Sequence, residues 1–146
     1  MEIKDQSFTK AVIAFEELKV HFAAFSACVQ KLIAQDKHID SASVSIEIDH
    51  DGEGMQITML NRIFDFQLSI TNAGLRTIGI VSISARSKNA ASNDCSLIHE
   101  VRFNRTGDLT SREAADEYIG GINSDNFVEA LLDTVIREFL TMRECD

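Results

Sequence analysis

Cys95 and His99 are the first residues to weigh for chemistry, because a thiol beside an imidazole is the simplest nucleophile–base pair. Both fall in Cys95–Asn104, a segment of alternating character that reads as a β-strand. Four residues along a strand span about 13 Å, too far for a hydrogen bond or a shared zinc ion. The pair is therefore expected to do no catalysis and to serve as a buried thiol and a core or pocket-lining imidazole. His21, His38 and His50 are scattered, and their spacing marks no metal site.

Asp49, Asp51, Glu53 and Gly54 imitate the first half of a calcium loop, with carboxylates at positions 1, 3 and 5 and glycine at 6. The twelfth position, where a bidentate carboxylate is needed, is Leu60, and the flanks read as strands. An acidic hairpin tip accounts for the same residues. The chain carries no Gly-x-Gly-x-x-Gly, P-loop, Gly-x-Ser-x-Gly elbow or His-Glu-x-x-His. The expectation is a non-enzyme with no catalytic residue, metal or cofactor.

Binding chemistry has more to draw on. Arg86 and Lys88 flank a small, polar loop over Ser87–Asp94. With His99, Arg102 and Arg105 of the last strand they would form a cationic patch for an anionic metabolite or nucleotide. Asp125, Glu129 and Asp133 form an acidic stripe at four-residue spacing on the final helix, suited to lysine or arginine of a protein partner. Solvated decoration is the plainer reading of that stripe. Like charges at this spacing mildly oppose the helix, and Asp125 recovers some of that near the positive end of the helix dipole.

These side chains must be positioned by two long helices bracketing a block of strands. Phe8, Ala11, Phe15, Leu18, Phe22, Phe25, Val29, Leu32 and Ile33 recur at helical spacing, predicting a helix over Ser7–Gln35. A second stripe of Ile13, Val20 and Ala27 repeats every seven residues on its other side. From Ser41 the period is two. A turn at Asp51-Gly52 pairs Ile48 with Met55, Ile46 with Ile57 and Val44 with Met59. A second turn at Asn61-Arg62 pairs Met59 with Phe64, Ile57 with Phe66 and Met55 with Leu68. Thr71-Asn72-Ala73-Gly74 predicts a third turn, leading into Leu75–Ala85, whose apolar residues occupy both faces. In the last strand Cys95, Leu97, His99, Val101 and Phe103 share one face.

After Gly107 the pattern returns to helix. Thr110-Ser111-Arg112-Glu113 is a capping box opening a short helix to about Tyr118, which Gly120-Gly121 ends. Ser124 or Asp125 caps the final helix, which runs to about Arg143. The expected fold is α+β: a five-stranded antiparallel meander whose apolar face is covered by the long N-terminal helix and the C-terminal helices.

Composition sets the outer bounds. The 146 residues contain no proline and three cysteines, which predicts a single domain over 1–146, without a disulfide framework, in a reducing cytoplasm. No membrane-spanning run or signal pattern is present in the sequence. Residues 1–107 carry 13 acidic and 11 basic side chains, whereas residues 108–146 carry 10 and 3. That acidity argues against direct nucleic-acid binding, which relies on cationic grooves.

Self-association is expected as well. A helix of about 42 Å exceeds the roughly 33 Å diagonal of a five-stranded sheet, so one end must overhang with its apolar residues. Those residues and the Ile13–Val20–Ala27 stripe then need cover from a second subunit. The leading reading is a homo-oligomer, at least a dimer, that binds another protein as an inhibitor, immunity or chaperone-like factor. Ile13, Val20, Ala27, Asp125, Glu129 and Asp133 are its candidate contact residues. Sequestration of a small anion is the second reading.

Overall fold

A computed structural model describes residues 6–40, 43–73, 76–87, 96–110 and 121–141. The order is α1 (Gln6–Gln35), β1 (Ser45–Ile48), β2 (Gly54–Met59), β3 (Arg62–Ala73), β4 (Arg76–Ser87), β5 (Ser96–Phe103) and α2 (Asp125–Thr141). The five strands form one antiparallel sheet in the order β1-β2-β3-β4-β5, so the chain is α+β with a meander sheet. The expected short helix over 110–118 and most of the loop over 87–94 lie outside the described residues.

Both helices lie on one sheet face. Leu18, Phe22, Phe25 and Val29 of α1 are fully buried in a cluster with Met55, Ile57, Phe64, Phe66, Val81, Ile83, Val101 and Phe103. Val128, Leu131 and Val135 of α2 complete it. The rings are in serial contact: Phe22 meets Phe25 at 6.0 Å, Phe25 meets Phe66 at 6.1 Å, and Phe64 meets Phe139 edge-on at 5.3 Å. Gly79 makes the close approach possible. A Cβ there would lie 2.7 Å from the Phe103 ring and 3.0 Å from Leu18, so α1 can press onto β4 and β5 only because that atom is missing. Ile78 is buried on the opposite face, so β4 is apolar on both sides as its sequence suggests.

The β1–β2 register is the expected one, with Ile46 opposite Ile57 and Ile48 opposite Met55. Its connection is longer than a two-residue turn. Asp49 and Gly54 close the loop, only Gly52 takes positive φ, at 76°, and Asp51 Oδ1 accepts the Glu53 amide.

The second hairpin differs from the sequence reading. Ile57 faces Phe64 and Met55 faces Phe66, two residues out of the predicted pairing. The turn is Leu60-Asn61, both in the left-handed region (φ 54° and 59°), as a type I′ turn requires. A slip of two preserves which side chains face the core, so alternation cannot detect it. Leu60 holds that conformation at a steric cost that asparagine largely avoids. Leu60 is also 59% exposed, so little burial is at stake. Leu60→Asn is expected to raise stability by about 0.5–1 kcal/mol in chemical denaturation; a loss would place the strain elsewhere.

Two further differences concern β3 to β5. Thr71, Asn72 and Ala73, expected in a turn, continue β3 and pair with Ile78, Thr77 and Arg76; Gly74 lies outside the described residues. In β5 a bulge opposite Ile83 and Ser84 inserts Ile98 as an unpaired residue. His99, Val101 and Phe103 keep the helix-covered face, but Leu97 is thrown to the other side and is 61% exposed.

Candidate functional site

Among the described residues, the members of the predicted cationic patch do not come together. Arg86 projects from the sheet face opposite the helices and pairs with Asp65 at 3.1 Å. Arg102 shares that face but lies opposite Ile80, six residues along β4 from Arg86, or about 20 Å. It bonds Glu100 at 3.2 Å. His99 is on the opposite face, where its Nδ1 lies 3.4 Å from Glu138 of α2. Arg105 follows β5 and clamps Glu17 of α1 with two bonds of 3.0 and 2.8 Å. Lys88 lies outside the described residues, as does Cys95. Each described arginine of the set thus already has a carboxylate of its own, at a separate place.

The Glu17–Arg105 clamp joins a larger tie between α1 and the turn after β5. His21 Nε2 donates to the Arg105 carbonyl (2.9 Å), and its ring stands edge-on to Phe103. Asn104 Oδ1 accepts from the amides of Thr106 and Asp108 and from the Thr106 hydroxyl. These contacts fix the turn and anchor the middle of α1 at the β5 side of the sheet.

A second tie joins α1 to the start of α2. Ser124 caps α2, its Oγ accepting the Phe127 amide at 3.3 Å. Asp125, in the first turn, accepts from Lys31 Nζ at 2.8 and 2.9 Å and from the Cys28 thiol at 3.2 Å. Burial, then the Asp125 carboxylate, pushes the Cys28 thiol up to about 11. Cys28 is therefore held as the protonated thiol at neutral pH. At pH 8 it should react with iodoacetamide on the order of 100-fold more slowly than an ordinary free cysteine, because two units of pKa remove that factor of thiolate. Mass-spectrometric time courses would reveal it; alkylation at the free-thiol rate would show that the thiol is not held buried beside Asp125.

Lys31 and Arg105 hold the carboxyls of Asp125 and Glu17 below the usual carboxylate range, mainly by hydrogen bonding. Folding gains from both pairs above the unfolded carboxylate range, and the gain disappears as pH falls through the lowered values. Lys31 and Arg105 are correspondingly raised, so at the alkaline end the pairs last until those cations deprotonate.

Among the described residues no three histidine, cysteine or acidic side chains come together as a metal site. The acidic hairpin tip spends its groups locally: Asp51 caps Glu53, and the Asp49 carboxylate covers Gly54. No helix among the described residues is long and apolar enough to cross a membrane.

The structure does show two apolar surfaces without cover from the described chain. One is on α1, where Ile13 and Val20 (68% exposed) stand on the side away from the core stripe, with Ala23 and Ala27 exposed alongside, and Phe8 (59%) and Val12 are exposed near the N-terminal end. At thirty residues α1 is about 45 Å long, but β3 and β4 have twelve residues each and span about 40 Å, so the length mismatch expected from shorter strands is small; Phe8 and Val12 are exposed at the N-terminal end of α1.

The other surface is a groove of about 810 Å³ between the C-terminal turns of α1, the first half of α2, and Val44 and Met59. Its floor is made of half-buried apolar side chains, among them Leu32, Ile33, Met59 and Ile136. Glu129 and Asp133 stand along one wall on α2, and Asp36 stands where α1 ends. Of the predicted contact residues, the groove brings Glu129 and Asp133 together. Asp125 is engaged with Lys31, and Ile13, Val20 and Ala27 lie on the separate α1 surface.

Sequence reasoning missed the apolar half of this groove. Leu32, Ile33, Val44, Met59, Leu132 and Ile136 each fit a core pattern, and only their convergence leaves them partly open. No protein-family model, curated protein or solved structure matches this chain.

Proposed function

We propose that this chain is a non-enzymatic protein-binding module that works as a homo-oligomer, in an inhibitor, immunity or chaperone-like role towards another protein. The observation that carries the reading is the uncovered apolar face of α1. Phe8, Val12, Ile13 and Val20 are large side chains on one helix, each at least 46% exposed. Exposed large apolar side chains gathered along one helix mark an interaction site. The seven-residue repeat of Ile13, Val20 and Ala27 suits a helix–helix seam, and the alanines allow close approach. A two-fold dimer through α1 covers the stripe on both subunits at once. The cytoplasm is the proposed setting, in keeping with the free thiol of Cys28.

Light scattering at micromolar concentration tests this. The wild type is expected to run as at least a dimer of the 16.2 kDa chain. Val20→Glu should weaken association at least tenfold, because it places a charge in the seam. Val20 touches little within its own subunit, so the variant should fold normally. A monodisperse wild-type monomer would refute the oligomer.

A further inference from the structure

We infer that the groove between α1, α2 and the β1–β2 end of the sheet receives an amphipathic helix with basic flanks, presented by another protein. The inference rests on the protein-binding reading and names the partner's chemistry. Leu32 and Ile33 from α1, Met59 from the sheet and Ile136 from α2 give the groove an apolar floor that the described chain leaves half open. Its edges are acidic on both sides. Glu129 and Asp133 are one turn apart on α2, and Asp36 belongs to the α1 side. No lysine or arginine lines the groove among the described residues, and Arg137, next to Ile136 on α2, pairs with Asp133 at 2.7 Å. The occupant complementary to this surface has an apolar stripe with cations on both of its sides.

That pattern selects a helix over an extended peptide. A strand sends alternate side chains to opposite faces, so cations next to its buried residues point away from the groove. A helix carries an apolar stripe with positive charge along both margins, and helix-in-groove docking uses it. An anionic bilayer is disfavoured as the occupant, because a rim of carboxylates on a chain of net charge −9 is repelled by it.

The test is fluorescence anisotropy on the full chain with a labelled 18-residue peptide carrying leucines at i, i+3, i+4 and i+7 and lysines on both flanks. Saturable binding of one peptide per chain is expected, weakening as salt rises, with helix content increasing in circular dichroism. The Glu129→Lys/Asp133→Lys variant, altered only at exposed positions, should bind at least tenfold more weakly. Ile136→Ser should do the same through the floor. Val20→Glu should bind as the wild type does, because it lies on the other surface. Three results would overturn the inference: no saturable binding, equal affinity in the charge-reversed variant, or equal affinity for a peptide of the same composition scrambled to destroy the stripe. If the wild type dimerises through α1 yet fails these tests, the groove inference falls and the protein-binding reading survives. A wild type that neither self-associates nor binds the peptide removes both.

Discussion

Phe66→Ala is expected to destabilise the fold by about 3–5 kcal/mol, the range of large aromatic truncations in protein cores. Phe66 is buried in β3, between Met55 of β2 and Ile83 of β4, and its ring meets Phe25 of α1. The cavity left by truncation would be walled by three paired strands and the long helix. Neither wall can collapse inward: the strands are held by their ladders, and α1 is tied to the sheet end by Glu17 and to α2 by Lys31. The cost should therefore fall near the top of the range. Urea unfolding would report it as a lowered midpoint with an unchanged slope. Phe66→Leu should lose less, because it refills much of the volume. A loss below about 1.5 kcal/mol for the alanine variant would mean that the core closes over the gap, and that α1 is held less firmly than its contacts imply.

Gly107→Ala is the second large effect, expected to cost about 2–4 kcal/mol. Gly107 has φ of 88°, a conformation that side-chain-bearing residues adopt at a cost. A Cβ there would also lie 2.7 Å from His21 Nδ1 and 3.0 Å from its Cε1. Neither neighbour is free to retreat. Gly107 donates its amide to Asn104 and accepts the Ile122 amide, while the His21 ring is held by the Arg105 carbonyl. The variant must strain the backbone and also break the His21 contact or displace α1. Combining it with His21→Ala separates the two costs, since removing the ring relieves the clash and leaves the backbone term. The double variant should be less destabilised than the sum of the singles, read by denaturation of all four proteins. Strict additivity, or a neutral Gly107→Ala, would show that the α1 tie to this turn is loose.

Much of this architecture was legible in the residues alone, for reasons of period. Helical spacing marked α1 and α2, and alternation marked the strands, because burial of one face leaves a repeat of 3.6 or 2. The β1–β2 register followed as well, since its flanking residues alternate cleanly up to a loop centred on Asp51-Gly52. Alternation fixes the face of a side chain and leaves open which residue stands opposite it. The two-residue slip of β3, with its turn at Leu60-Asn61, lies in that blind spot. The bulge at Ile98 breaks the parity itself, which is why Leu97, expected on the face of His99, Val101 and Phe103, is found on the other.

Sites were harder to read than elements. The Asp125–Glu129–Asp133 stripe was visible because it lies on one helix at one spacing. Its apolar counterpart is assembled from residues around 32–39, 44, 59 and 126–136, which only the fold brings together. The Cys28–Lys31–Asp125 contact spans 94 and 97 residues of sequence, and neither charge nor spacing announces it. Arg86, Arg102 and Arg105 looked like one patch because they are near in sequence. Strand geometry sends them to separate places, and each meets its own carboxylate.

Native mass spectrometry of the protein, purified gently from its own cells, tests the central claim most directly, because it weighs subunits and companions together. The protein-binding account predicts an assembly of at least two 16.2 kDa chains, with a second polypeptide retained in stoichiometric amount. A bare 16.2 kDa monomer, or a monomer retaining only a small anion, would contradict it.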